Sequence, residues 1–152
     1  MNYELWVMNY ELDKNIEYQQ LIEKIGNTYQ SAKNKIILAV NTEMLYAYWQ
    51  IGKDIVEFEQ GGKLKAEYGK QLLIDLSEDL SFQYGKGFSR SNIQYMRLLY
   101  FYYPICQTLS GKLTWSHYIE LVSLDDNLSR EFYEKQAITE NWTIRELRRQ
   151  TN

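Results

Sequence analysis

The sequence predicts an all-α fold of six or seven helices, with helix-turn-helix-like units in a winged-helix-like or bundle arrangement. Apolar residues recur at steps of three and four along most of the 152 residues, which is the spacing of one helix face. Residues that favour helix caps precede several of these runs. The alternating pattern of strands is essentially absent.

The first helical run extends from Ile16 to Phe58 and ends at the pair Gly61–Gly62. One uninterrupted helix of that length would be roughly 65 Å long, at about 1.5 Å per residue. A compact domain of this size has a radius of gyration of only about 15 Å. The pattern therefore predicts either two helices broken near Gln30–Asn34, or one long helix that needs a partner chain.

The N-terminus carries a short repeat, because MNYEL occurs at residues 1–5 and again at residues 8–12. Translation could begin at Met1 or at Met8. We interpret residues 1–14 as a peripheral extension and residues 15–152 as the helical domain.

The later helices are predicted from apolar spacing and turns, and four of them from a capping residue as well. The glycines of YGKGFS tolerate positive φ, and Pro104 ends the helix that follows that turn. TIRE at Thr143–Glu146 has the pattern of a capping box. The predicted helices are 64–83, with Leu72, Leu76 and Leu80 inward; 90–103, capped by Ser89; 115–123, capped by Thr114; 126–138, with Asp126 as its cap; and a last helix from Thr143.

Composition limits the classes of protein that remain. A single cysteine, Cys106, excludes an internal disulfide and the zinc patterns that need several cysteines. The sequence has no apolar run of about eighteen residues and no signal-peptide pattern, so we expect a cytoplasmic protein without a membrane span.

Charge is distributed unevenly along this chain of net charge −3. Residues 1–79 contain thirteen acids and eight bases, and residues 120–152 contain seven acids and five bases. Residues 80–119 contain no acid and four bases: Lys86, Arg90, Arg97 and Lys112. Since phosphate contacts depend on charges within a Debye length of about 8 Å, this basic segment could bind nucleic acid on an acidic protein.

The helix predicted after Ser89 has an apolar and a polar face. Ile93, Met96, Tyr100 and Tyr103 form the inward stripe. Arginine, glutamine, asparagine and serine side chains read base edges and phosphates. A glycine turn between two helices resembles the helix-turn-helix arrangement, whose second helix enters the major groove. The polar positions are Arg90, Ser91, Asn92, Gln94 and Arg97, and an ordinary solvated face is the alternative interpretation.

Further polar residues are predicted to extend this surface. Arginines late in the last helix can instead complement the helix dipole, and His117 can instead be a structural residue near a helix start. The additional candidates are Lys86, Ser89, Lys112, Ser116, His117, Arg145, Arg148 and Arg149.

The segments LTWSHY, REFYEKQAI and WTIRELRRQ resemble the N-terminal domain of the YhcG family, the domain-of-unknown-function 1016 family. The resemblance runs from about Leu21 to the end of the chain. It implies a bacterial, helical, DNA-binding domain that is usually joined to a C-terminal nuclease domain of the PD-(D/E)xK type. It also implies that GFSRSN at Gly87–Asn92 and TWSHY at Thr114–Tyr118 mark the nucleic-acid surface.

The nuclease domain itself is expected to be missing from this chain. A PD-(D/E)xK site needs an acid two residues before a lysine, and none of the eleven lysines has one. One histidine and one cysteine cannot make a metal cluster. We therefore expect no nuclease activity, no metal site and no cofactor.

Two hypotheses of different classes follow. The first is a non-catalytic DNA-binding domain that targets or assembles a nuclease supplied in cis or in trans. The second is a protein-interaction or dimerisation module that uses the long apolar helix of residues 16–58, with a homodimer as the expected assembly. Both can hold together, because two-fold dimers often present two recognition helices.

Overall fold

The computed structural model describes residues 2–61 and 64–152, with side chains described at residues 2–61 and 71–152. All the regular structure in these residues is helical, which confirms the all-α prediction, and Cys106–Thr108 form a single 3₁₀ turn. The six helices are α1 (Tyr3–Gln60), α2 (Leu64–Tyr84), α3 (Arg90–Tyr102), α4 (Trp115–Val122), α5 (Asn127–Thr139) and α6 (Ile144–Thr151).

Helix α1 has no break at Gln30–Asn34, so a single long helix is found and the two shorter helices are not. The Gln30 side-chain amide donates to Asn34 Oδ1 at 3.0 Å, one helical turn later. Helix α1 ends directly before Gly61, and Gly62 lies outside the described residues. The helix also includes most of residues 1–14, which the sequence does not predict to be helical.

The chain divides into two compact units, residues 1–39 and residues 40–152. In the first unit, every described residue is exposed except Val7, which is half-buried. None of the helices among the described residues contains an apolar stretch of the length that a membrane span requires.

The second unit contains a continuous apolar core. Its buried side chains come from the end of α1, from α3 to α6 and from the segment between α3 and α4. Tyr118 is fully buried, and its ring packs at right angles on Tyr103 with 5.3 Å between the ring centres. The core cluster comprises Leu45, Leu99, Tyr103, Leu109, Leu113, Tyr118, Leu121, Val122, Ala137 and Leu147.

Helices α1 and α3 are in close backbone contact at Gly52. A Cβ atom built on Gly52 would lie 1.9 Å from the carbonyl oxygen of Met96. Only glycine leaves room for the two backbones at this crossing. The Trp49 indole N–H, one turn earlier on α1, donates to the Tyr103 carbonyl at 2.7 Å and fixes the end of α3 on the same helix.

The predicted caps are confirmed at the residues expected. Ser89 caps α3, Thr114 caps α4 and Asp126 caps α5. The Thr143–Glu146 capping box is complete: the Thr143 N–H donates to Glu146 Oε2 at 2.6 Å, and the Glu146 N–H donates to Thr143 Oγ1 at 3.3 Å.

Arg130 is buried with 2% exposure and joins three parts of the fold. Its guanidinium donates to the Leu124 carbonyl and, at 3.0 Å, to Asn127 Oδ1, and it lies 3.4 Å from the centre of the Tyr102 ring. These contacts hold the α4–α5 connection against the end of α3. Sequence reasoning gave Arg130 no role.

Candidate nucleic-acid interface

The turn between α2 and α3 has the conformation that its glycines allow. Gly85 and Gly87 have φ values of 81° and 112°, a region where other residues are strained. Ser89 has extended backbone angles, and its hydroxyl accepts from the Asn92 N–H at 3.1 Å. Lys86 lies exposed between the two glycines, and Arg90 is exposed as the first residue of α3.

The Asn92 side chain connects this turn to α4. Its amide nitrogen donates to the Gly87 carbonyl, and its Oδ1 accepts from the Trp115 indole N–H at 3.0 Å. The turn, the start of α3 and the start of α4 are therefore held together by Asn92. Asn92 was expected to contact nucleic acid directly, whereas both ends of its amide here bind protein.

Arg97 has a partner that sequence reasoning missed. Its Nε and Nη2 donate to the two carboxylate oxygens of Glu59 on α1, at 2.6 and 2.7 Å. Arg97 and Gln94 are half-buried, whereas Arg90 and Ser91 in the first turn of α3 are exposed. The polar face predicted for α3 is thus divided: its start faces solvent, and Arg97 is neutralised by α1.

His117 has a structural position at the start of α4. The side chain is 8% exposed, and its Nε2 donates to the Trp142 carbonyl at 2.8 Å, which requires the proton on Nε2. Nδ1 is then free to accept from the Thr114 N–H at 3.2 Å. His117 therefore ties α4 to the turn before α6, while its neighbours Ser116 and Lys112 are exposed.

The arginines of α6 differ in their surroundings. Arg148 Nε donates to Glu120 Oε1 of α4 at 2.6 Å, which neutralises that arginine and ties α6 to α4. Arg145 and Arg149 are exposed, one helical turn apart on the same face. Within the described residues, neither of these two forms an ion pair.

A comparison with family models places residues 24–152 in the DUF1016 N-terminal domain. The chain belongs to the DUF1016 N-terminal domain family. This match includes α3, α4 and α6 entirely, so every candidate residue lies within the DUF1016 N-terminal domain.

A relative carries a name that suggests an activity for a longer protein. The chain is 36% identical over 165 residues to the protein named "Putative nuclease YhcG" of Escherichia coli (strain K12). That alignment covers 88% of this chain but only 44% of the relative, so the chain spans less than half the length of the protein it matches. No solved structure matches the DUF1016 N-terminal domain of this chain.

Proposed function

We propose that residues 40–152 bind duplex DNA and direct a nuclease domain, supplied in cis or in trans, to its substrate. The contact is made by a basic surface, which we define as Lys86, Arg90, Ser91, Lys112 and Ser116. The domain itself breaks no bond in this proposal. Arg145 and Arg149 provide a second, auxiliary pair of cations.

Exposed and unpaired cations carry this proposal. Lys86, Arg90 and Lys112 are exposed, and among the described residues the ion pairs involve other bases: Lys53, Arg97 and Arg148. No acid occurs between residues 80 and 119. Lys86 and Arg90 belong to the turn and to the start of α3, and Lys112 precedes α4, whose start Asn92 ties to the same turn, so we infer that a bound phosphate backbone contacts these cations.

The start of α3 supplies a second attraction for phosphate. The first N–H groups of a helix have no intrahelical acceptor, and the helix dipole places partial positive charge there. Ser89 satisfies the N–H of Asn92, and this leaves the N–H groups of Arg90 and Ser91 at the exposed end of a 13-residue helix. Phosphate binding at such an end supports the side-chain contacts.

The link to a nuclease is supported by the name and the length of the relative. YhcG is named a nuclease, and this chain aligns with 44% of it. The family resemblance implies that the catalytic PD-(D/E)xK domain lies outside the N-terminal domain. We expect the purified chain to bind a DNA duplex without cleaving it in the presence of Mg²⁺.

The test is fluorescence anisotropy of a labelled duplex, measured as a function of salt concentration. Each phosphate contact contributes about −0.9 to the slope of log K against log salt. The double variant Lys86→Ala/Arg90→Ala should bind every duplex sequence tested more weakly. Its slope should be about two units less negative than that of the unmodified chain.

Two controls separate this surface from charge in general. Arg97→Ala should leave the slope unchanged, because that guanidinium is held by Glu59. Lys135→Ala removes an exposed cation of α5 that lies outside the basic surface. This variant should also leave the salt slope unchanged. An unchanged slope in the Lys86/Arg90 variant, or binding confined to an RNA duplex, would contradict the proposal.

A further inference from the structure

The first unit of the structure is a helical segment with apolar side chains that nothing in its own unit covers. Residues 3–39 form a segment about 55 Å long at about 1.5 Å per residue. Its side-chain hydrogen bonds and ring contacts within the described residues join positions no more than four apart, such as Trp6 with Tyr10. Helices obtain most of their stability from packing an apolar face, so this segment lacks its main source of stability.

The uncovered apolar residues are large and numerous. Fifteen of them between Tyr3 and Leu38 are each 47–75% exposed, far more than the scattered apolar residues of an ordinary surface. One group of apolar residues recurs at steps of four and three, the spacing of a coiled-coil seam. This seam consists of Tyr18, Ile22, Ile25, Tyr29, Ala32 and Ile36.

Charge in the same segment is divided at Glu23–Lys24. Residues 3–23 contain five acids and one base, a net charge of −4, whereas residues 24–39 contain three bases and no acid, a net charge of +3. A parallel, in-register pair of such segments would place each charged region against its own copy. An antiparallel pair would place the acidic region of each segment against the basic region of the other.

We propose that residues 3–39 associate with the same segment of a second copy of the chain in an antiparallel pair that crosses near Ile22. In this alignment Glu11 lies opposite Lys33 of the second copy, and Met8 lies opposite Ile36. The apolar seam supplies the affinity, and the divided charge selects the orientation. The interface does not use the basic surface proposed to bind DNA, so either proposal can fail alone.

Sedimentation velocity of the full chain tests the association. We expect a monomer–dimer equilibrium. Lys33→Glu/Lys35→Glu should raise the dimer Kd about tenfold or more, since each changed contact occurs twice in the pair. The matched control is Lys14→Glu, the same charge change in the acidic region of the same helix, which should leave the Kd unchanged or lower it.

Pulsed electron-spin distance measurements test the orientation. Spin labels are attached at single cysteines in a Cys106→Ser background, at the exposed, polar Asn34 or Gln20. The axial offset between the two Asn34 positions should be about 36 Å and that between the two Gln20 positions about 6 Å, from about 1.5 Å of rise per residue. The interaxial distance of about 8–10 Å adds to both, so the distance at position 34 remains much the longer. A parallel pair gives a short distance at both positions.

Each result decides the proposal. A concentration-dependent dimer with a long distance at position 34, a short one at position 20 and a weakened Lys33→Glu/Lys35→Glu variant supports it. A chain that stays monomeric at all concentrations overturns it, and so does a short distance at position 34. A dimer indifferent to the Lys33/Lys35 reversal also overturns it, because that dimer uses another surface.

Discussion

The carboxylate of Glu134 lies half-buried between two tyrosine hydroxyls. Tyr103 donates to Oε2 at 2.9 Å and Tyr118 donates to Oε1 at 3.1 Å. Burial raises the pKa of Glu134 above its ordinary value, although the two hydrogen bonds act in the opposite direction. Burial, reinforced by the nearby Glu134, also raises the pKa of both tyrosines.

The raised pKa of Glu134 gives a signed prediction for stability. The folded protein binds the Glu134 proton more tightly than the unfolded chain does. The contribution of Glu134 to the free energy of unfolding is therefore full below the ordinary glutamate pKa. It is lost as the pH rises through the pKa of Glu134 in the folded protein. Asp126 and Glu146 act in the opposite sense, because their capping hydrogen bonds lower their pKa and their contributions are lost on acidification.

Glu134→Gln should therefore remove the part of the stability that declines with rising pH. The check is urea denaturation of both proteins at a series of pH values from 3 to 8, on the order of one unit apart. Glu134→Ala should lower the free energy of unfolding by about 2 kcal/mol or more, because two buried hydroxyls lose their acceptor. The exposed Glu140→Gln is the control, and a pH profile equally altered by it would refute this account.

Arg97 shows why single residues of the candidate site were hard to predict. The residues near Arg97 in the sequence include no acid, yet its partner Glu59 lies 38 positions earlier. Nothing local in the sequence identifies that pair, because it exists only once α1 lies beside α3. Arg90 has the same side chain but lies in the exposed first turn, where its surroundings follow from the Ser89 cap alone.

At the scale of elements, local rules located most helix boundaries. The caps at Ser89, Thr114, Asp126 and Thr143 are each satisfied within three residues along the chain, so sequence spacing sufficed to find them. The burial of Arg130 depends on packing, so spacing could not predict it. Apolar spacing also could not distinguish a break at Gln30–Asn34 from a continuous helix. The candidate site shows the same difference between local and long-range features. The turn at Gly85–Gly87 was predicted from local sequence, whereas the Asn92–Trp115 hydrogen bond, which depends on tertiary packing, was not.

The crossing of α1 and α3 allows a prediction with an internal control. Gly52→Ala should lower the free energy of unfolding by about 3 kcal/mol, because its Cβ would lie 1.9 Å from the Met96 carbonyl oxygen and would force the backbones apart. Gly26→Ala introduces the same methyl group into the same helix with nothing within 4 Å of it. It should stabilise helix α1 by about 0.5–1 kcal/mol.

Thermal and urea denaturation, with helicity followed by circular dichroism, measure both glycine variants. The structure requires opposite signs at the two positions. If Gly52→Ala were neutral, the close approach of α1 to Met96 would be wrong.

At the scale of the whole molecule, the two units differ in how their helices are stabilised. Every buried residue of α1 lies in the second unit: Leu45, Gly52, Ile55 and Val56. The core cluster, the caps and the basic surface all lie there too. The first unit contributes exposed apolar residues and divided charge.

This division predicts that residues 40–152 fold without the first unit. A chain starting at Val40 should unfold in one cooperative transition, with a midpoint within about 5 °C of the full chain, a shift that corresponds to about 1 kcal/mol. It should sediment as a monomer, because it lacks the proposed pairing segment. Its salt slope in DNA binding, per protomer, should equal that of the full chain, because the basic surface is intact. Circular dichroism, sedimentation velocity and anisotropy measure the three properties. A broad, non-cooperative transition would mean that residues 1–39 contribute to the core. Deleting residues that are only exposed could not abolish the cooperativity of unfolding.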